Sequence, residues 1–82
     1  MPRLPVVSGY DAVRLLEKIG YQKVRQKGSH LTLKKLTVTG EHSIQVPLHD
    51  ELDKGTLNSI LTRVSERNIV EKEKLVELLS GN

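Results

Sequence analysis

The apolar positions of the chain follow two different rhythms. Ala12, Leu15, Leu16 and Ile19 recur at the spacing of one helix face, with Arg14, Glu17 and Lys18 between them. This predicts an amphipathic helix over about residues 9–19. Ser8 stands before it as an N-cap with Asp11 three residues on, close to a capping box, and Gly20 is a natural stop. Pro2 and Pro5 make an extended lead-in. From Tyr21 the rhythm changes to alternation. Tyr21 to Lys27 reads as a strand of thin apolar content, with Val24 pointing one way and Lys23, Arg25 and Lys27 the other. Gly28-Ser29 forms a turn, and a second strand runs from about His30 to Val38. Leu31 and Leu33 share one parity in it, Leu36 and Val38 the opposite. Burying all four requires one extra residue near Lys34-Lys35, a bulge or a strong bend.

Thr39-Gly40-Glu41-His42 reads as the next turn, followed by a short strand carrying Ile44, Val46 and Leu48. Pro47 cannot donate a ladder hydrogen bond, which puts this strand at an edge or ends it there. Lys54-Gly55-Thr56 opens a second helix, with Thr56 as N-cap and Leu57, Ile60, Leu61 and Val64 on one face. Asn68 breaks it, and a last helix of about 71–79 carries Leu75, Leu78 and Leu79. The order is helix, three-stranded meander, helix, helix, without repeat or linker. The economical solution is an α+β fold: a three-stranded antiparallel sheet with helices on one face and the other face open to solvent. At 82 residues the chain is read as a single domain, 1–82.

Composition narrows the chemistry. Cysteine is absent, which excludes disulfides, thiolate metal sites and cysteine nucleophiles. Tyr10 and Tyr21 are the only aromatic residues, too few for a base-stacking platform. No apolar stretch approaches the ~20 residues of a membrane span, and the N-terminus lacks a signal-peptide pattern, so a soluble, cytoplasmic protein is expected. The net charge of +3 is unevenly spread: residues 1–40 carry +6 and residues 41–82 carry −3. Such asymmetry fits a phosphate-facing half as well as ordinary solvation.

If Leu31 and Leu33 face the helices, alternation turns His30, Thr32 and Lys34 to the open face. Lys23, Arg25 and Lys27 join them if Val24 points inward, and Gln45 and His49 do so if Ile44, Val46 and Leu48 face inward. A histidine at a strand start gains nothing obvious for folding, yet it can both accept and donate a proton near neutral pH. RNA cleavage needs that: a base takes the 2′-OH proton and an acid protonates the leaving 5′ oxygen. The plain alternative is a surface histidine. Asp50 beside His49 is a possible orienting carboxylate or simply part of a polar turn. Lys54-Gly55-Thr56 at a helix start is either a phosphate site or an ordinary cap. His30, His42 and His49 lack the spacing of a helical zinc site, and Asp50, Glu51 and Asp53 read as a solvated approach to the helix; no metal and no cofactor is expected.

These residues together resemble the HicA-type (YcfA-like) toxins, the mRNA interferases of type II toxin–antitoxin pairs. The resemblance rests on Leu4-Pro5-Val6-Val7-Ser8-Gly9, Leu15-Leu16-Glu17-Lys18-Ile19-Gly20-Tyr21 and Arg25-Gln26-Lys27-Gly28-Ser29-His30. It continues through Val46-Pro47-Leu48-His49-Asp50-Glu51-Leu52, Lys54-Gly55-Thr56-Leu57 and Ile60-Leu61, in order and spacing over about residues 4–64. It implies a double-stranded-RNA-binding-domain-like α-β-β-β-α fold, metal-independent cleavage of mRNA with His30 as catalytic residue, and a HicB-type antitoxin partner covering the site. Lys23, Arg25, Lys27, Ser29, Lys34, His49, Lys54 and Thr56 are the expected RNA-binding residues. Two features depart from the family. Leu31-Thr32-Leu33 follows the histidine where a basic or aromatic residue is common, and the tail from Ser65 to Asn82 is more charged than the family's short ending. A non-catalytic double-stranded-RNA-binding module and a protein-interaction domain are the alternatives.

Overall fold

In the computed structural model, which describes residues 4–80, the chain runs α1 (Gly9–Lys18), β1 (Gln22–Lys27), β2 (His30–Thr37), β3 (Gly40–Pro47), α2 (Lys54–Asn68) and α3 (Lys72–Leu79). This is the expected α-β-β-β-α order with an added helix; Pro2 of the expected lead-in lies outside the described residues. The α1 capping box is complete. Ser8 Oγ accepts from the Asp11 N–H at 3.1 Å, and Asp11 Oδ2 accepts from the Ser8 N–H at 3.0 Å. The backbone N–H of Ser8 is the largest influence holding the Asp11 carboxyl below its ordinary range.

The strands form one antiparallel sheet in the order β1-β2-β3. Leu31 and Leu33 of β2 and Ile44 and Val46 of β3 are buried, and they meet Ala12, Leu15 and Leu16 of α1 and Leu57, Leu61 and Val64 of α2 in one core. The helices therefore cover one sheet face. Burial of each such aliphatic side chain stabilises the fold by roughly 1.5–3 kcal/mol. Leu75 is fully buried and Val76, Leu78 and Leu79 pack on the same core, so the charged tail closes onto the fold as a third helix.

The bulge is not where the apolar pattern of β2 required it. β2 and β3 pair without interruption from His30↔Pro47 to Thr37↔Gly40. Leu36 and Val38 consequently stay on the solvent side, 80% and 76% exposed. The inner face at this end is filled by polar groups. Thr37 is buried and bonds the Gly40 carbonyl, and Lys35 Nζ donates to Asn68 Oδ1 at 2.7 Å. His42 Nδ1 lies 2.6 Å from the Tyr21 hydroxyl, which also accepts from Asn68 Nδ2 at 3.0 Å. The Tyr21 hydroxyl thus links His42 and Asn68 in one hydrogen-bonded group. His42, read from sequence as a turn residue, is a buried strand residue.

The irregularity falls in β1. Lys23 pairs with Leu33 and Arg25 with Thr32, leaving Val24 unpaired between them and half exposed. One inserted residue reverses the side on which the following chain projects. Lys23 therefore lies on the helix side, where its Nζ is 3.7 Å from Glu17 Oε2. The alternation that put Lys23 beside Arg25 and turned Val24 inward is corrected on both counts.

Candidate active site

His30 is placed by a two-residue turn. Gly28 (φ 59) and Ser29 join Lys27 to His30, which pair directly across the hairpin. A positive φ at the first turn residue alone has the form of a type II′ turn, which glycine enters without steric cost. Gln26 Nε2 donates to the Gly28 carbonyl at 3.1 Å. On the other side, Pro47 stands opposite His30 with no N–H to give, and the next donor, Leu48 N–H, reaches the Ser29 carbonyl at 2.6 Å. The turn is therefore held both by β1 and by the chain leaving β3.

Residues directly opposite each other across a ladder share a sheet face. His30 shares the open face with its partner Lys27, and Thr32 shares it with Arg25 and Gln45. These side chains, with Gly28 and Ser29, line an open depression of about 500 Å³ that contains two cations, a histidine and no carboxylate. Among the described residues neither Arg25 nor Lys27 is within ion-pair distance of an acid. Lys34 projects from the same face farther along β2, 4.0 Å from Glu41. His30, Thr32 and Lys34 thus share the open face as alternation along β2 anticipates. Arg25 and Lys27 join them through their pairing with Thr32 and His30, although Val24 does not point inward, while Lys23 is engaged elsewhere.

His49, Lys54 and Thr56 lie off the sheet, on the segment from Pro47 to the start of α2. This segment is pinned under α1: Gly9 N–H donates to the His49 carbonyl at 2.9 Å, and Leu52 N–H to the Val7 carbonyl at 2.8 Å. A Cβ on Gly9 would sit 1.9 Å from the Pro47 carbonyl oxygen, so glycine permits the approach. His49 and Lys54 are exposed. Thr56 is not the N-cap of α2. Asp53 is: its carboxylate accepts from Thr56 N–H at 2.7 Å and from Thr56 Oγ1 at 2.9 Å. Those bonds lead the influences that hold the Asp53 carboxyl below its ordinary range, with a smaller contribution from the positive charge of His49. An acidic side chain of the protein already fills this helix end.

Sequence reading passed over Arg63. It is exposed on α2 and adjoins the open face beside Lys34, Ser43 and Gln45. Its helical spacing from Thr56 and Ser59 was visible, but the strand those residues would border was not. Among the described residues no three His, Asp or Glu side chains converge as a metal site would require. No described helix is long and apolar enough to cross a membrane.

A family model described as HicA toxin of bacterial toxin-antitoxin matches residues 9–64. The span begins at the first residue of α1 and ends at Val64 of α2, so it takes in the whole sheet, the His30 turn and the His49 segment, and leaves out α3. No curated protein and no solved structure matches the chain. With more than half of the sequence matched, from the capped helix through the histidine-bearing sheet, the chain belongs to the HicA toxin family of bacterial toxin–antitoxin systems.

Proposed function

We propose that this HicA-family chain is an endoribonuclease that cleaves mRNA by histidine acid–base catalysis, blocking translation and growth until a HicB-type antitoxin covers the site. The observation that carries the reading is the placement of His30: exposed, on a turn fixed from two sides, in a depression whose charged neighbours are Arg25 and Lys27. Cations in that position hold a phosphodiester against the ring. Neutral His30 accepts the proton of the ribose 2′-OH. The O2′–P bond forms as the P–O5′ bond breaks, and the 5′ oxygen leaves as a hydroxyl after taking a proton. The protonated imidazole is able to supply that proton. One fragment then ends in a 2′,3′-cyclic phosphate and the other begins with a 5′-hydroxyl. The scheme balances without a metal or cofactor.

Arg25 and Lys27 are the phosphate contacts nearest the ring, with the Ser29 hydroxyl beside them. Lys34 extends the surface along β2, and the exposed His49 and Lys54, off the sheet, are kept as outlying RNA contacts. Lys23 and Thr56 drop out of the interface because Glu17 and Asp53 occupy them. The same open cationic face suits an acidic surface on the antitoxin, and the substrate places the toxin in the cytoplasm. The test is induction of the wild type and of His30→Ala in growing bacteria without antitoxin. The wild type is expected to arrest growth and fragment transcripts, and the variant to do neither at equal protein level. Growth arrest by both with intact transcripts would refute the proposal.

A further inference from the structure

The open face carries a second depression, about 610 Å³, that continues the one at His30. The two share Arg25, Thr32 and Gln45. The second adds Lys34 from β2, Ser43 from β3 and Arg63 from α2. Three cations from three elements border it, hydroxyls and an amide lie between them, and no carboxylate lines it. Lys34 touches an acid only at the outer rim, 4.0 Å from Glu41.

Arg63 reaches this face because of how α2 is rotated. Ile60, Leu61 and Val64 are buried, which fixes the helix face toward the core. Thr56, Ser59 and Arg63, spaced three and four residues apart, then form one flank beside Ile44 and Gln45 of β3. Arg63 borders both that cleft and the open sheet face. The contrast with Arg67, one turn on, is informative. Arg67 spends its guanidinium on Thr39 Oγ1 and the Glu41 carbonyl, each at 2.8 Å, tying α2 to the β2–β3 hairpin. Among the described residues Arg63 makes neither an ion pair nor a side-chain hydrogen bond that would explain its position.

We infer that Lys34 and Arg63, with Arg25 bridging from the His30 depression, form a second phosphate subsite, which holds the backbone of a single-stranded RNA more than one nucleotide from the bond at His30. The inference rests on the ribonuclease reading for the identity of the strand, and it adds a residue from α2 and a length requirement. Lys34 is four residues along β2 from His30, roughly 13 Å at about 3.3 Å per residue, too far to serve the same phosphate. The planar guanidinium forks of Arg25 and Arg63 suit phosphate oxygens. Neither tyrosine is on this face, since Tyr10 is on α1 and Tyr21 is buried, so the strand is gripped by its backbone and not by base stacking.

Binding of fluorescent 2′-O-methyl oligonucleotides, which cannot be cleaved, tests this separately from catalysis. For an octanucleotide, Arg63→Ala is expected to weaken binding about 5- to 10-fold and Arg63→Lys by less. The slope of log affinity against log salt should fall by about 0.7, the loss of one phosphate contact on a single strand. For a dinucleotide the wild type and Arg63→Ala should bind alike. Equal octanucleotide binding by wild type and Arg63→Ala would overturn the inference. So would weakened binding of an acidic protein partner with RNA affinity unchanged, which would assign the trough to protein. Because binding alone is read, a chain that binds as expected but cleaves nothing leaves the subsite standing and refutes only the nuclease reading.

Discussion

Burial of His42 has a consequence measurable in solution. Removal from water, followed by the nearby charges of Arg67 and Arg63, pushes its pKa below the ordinary 6.5. The folded chain favours the neutral ring, hydrogen-bonded to the Tyr21 hydroxyl, whereas the unfolded chain protonates it normally. A depressed folded value means that the His42 contribution is intact above about pH 6.5 and is lost as pH falls from there through the folded value. Unfolding free energy is therefore expected to decline on mild acidification, well before the capping carboxylates Asp11 and Asp53 are titrated. His42→Gln, which keeps a neutral hydrogen-bonding partner for Tyr21, should flatten that decline in denaturant titrations from pH 7.5 to 5; equal slopes would contradict this. At this scale the sequence was informative where alternation was strong. His30 falls on the open face because Leu31 and Leu33 anchor β2. Lys23 is not placed by the sequence pattern because β1 has a single apolar residue, Val24, and one position cannot define an alternation. Nothing local marks His42 as a strand residue, because its inward role depends on Tyr21 and Asn68, which are distant in sequence.

Among the elements, helix boundaries were the most legible. The Ser8–Asp11 box starts α1, Asn68 is the last residue of α2, and α3 covers the expected stretch. The exit from α2 carries strain. Ile69 takes φ 52 in the left-handed region, where a β-branched side chain is crowded, and it is 75% exposed. Replacement by glycine removes that cost and little packing, so Ile69→Gly should stabilise the fold by roughly 1 kcal/mol. The midpoint of denaturant unfolding would report it, and a lower midpoint would contradict it. The expected bulge in β2 failed for a related reason. Four apolar residues of mixed parity pointed to a core on both sides of a bend, but Lys35, Thr37, His42 and Tyr21 fill the inner side at that end with bonded polar groups. Leu36 and Val38 are left on the surface because their places are taken.

For the molecule as a whole, the charge asymmetry along the chain translates only partly into an asymmetry in space. Arg25, Lys27 and Lys34 come from the basic half and share the open sheet face, but Arg14 and Lys18 are on α1 and Lys23 points to Glu17. Arg63 reaches the cationic face from the acidic half. The face is a product of packing, and no count along the sequence yields it. Everything proposed for the chain's activity rests on His30 exchanging protons with RNA on that face. The most direct measurement is incubation of purified wild type and His30→Ala with RNA in excess EDTA, with the product ends mapped. The account predicts wild-type fragments ending in 2′,3′-cyclic phosphate with 5′-hydroxyl partners, and a loss of about 10²–10⁴-fold in rate for His30→Ala with fold and RNA affinity retained. Cleavage by His30→Ala at the wild-type rate, or 3′-hydroxyl products formed only with a divalent metal, would contradict it.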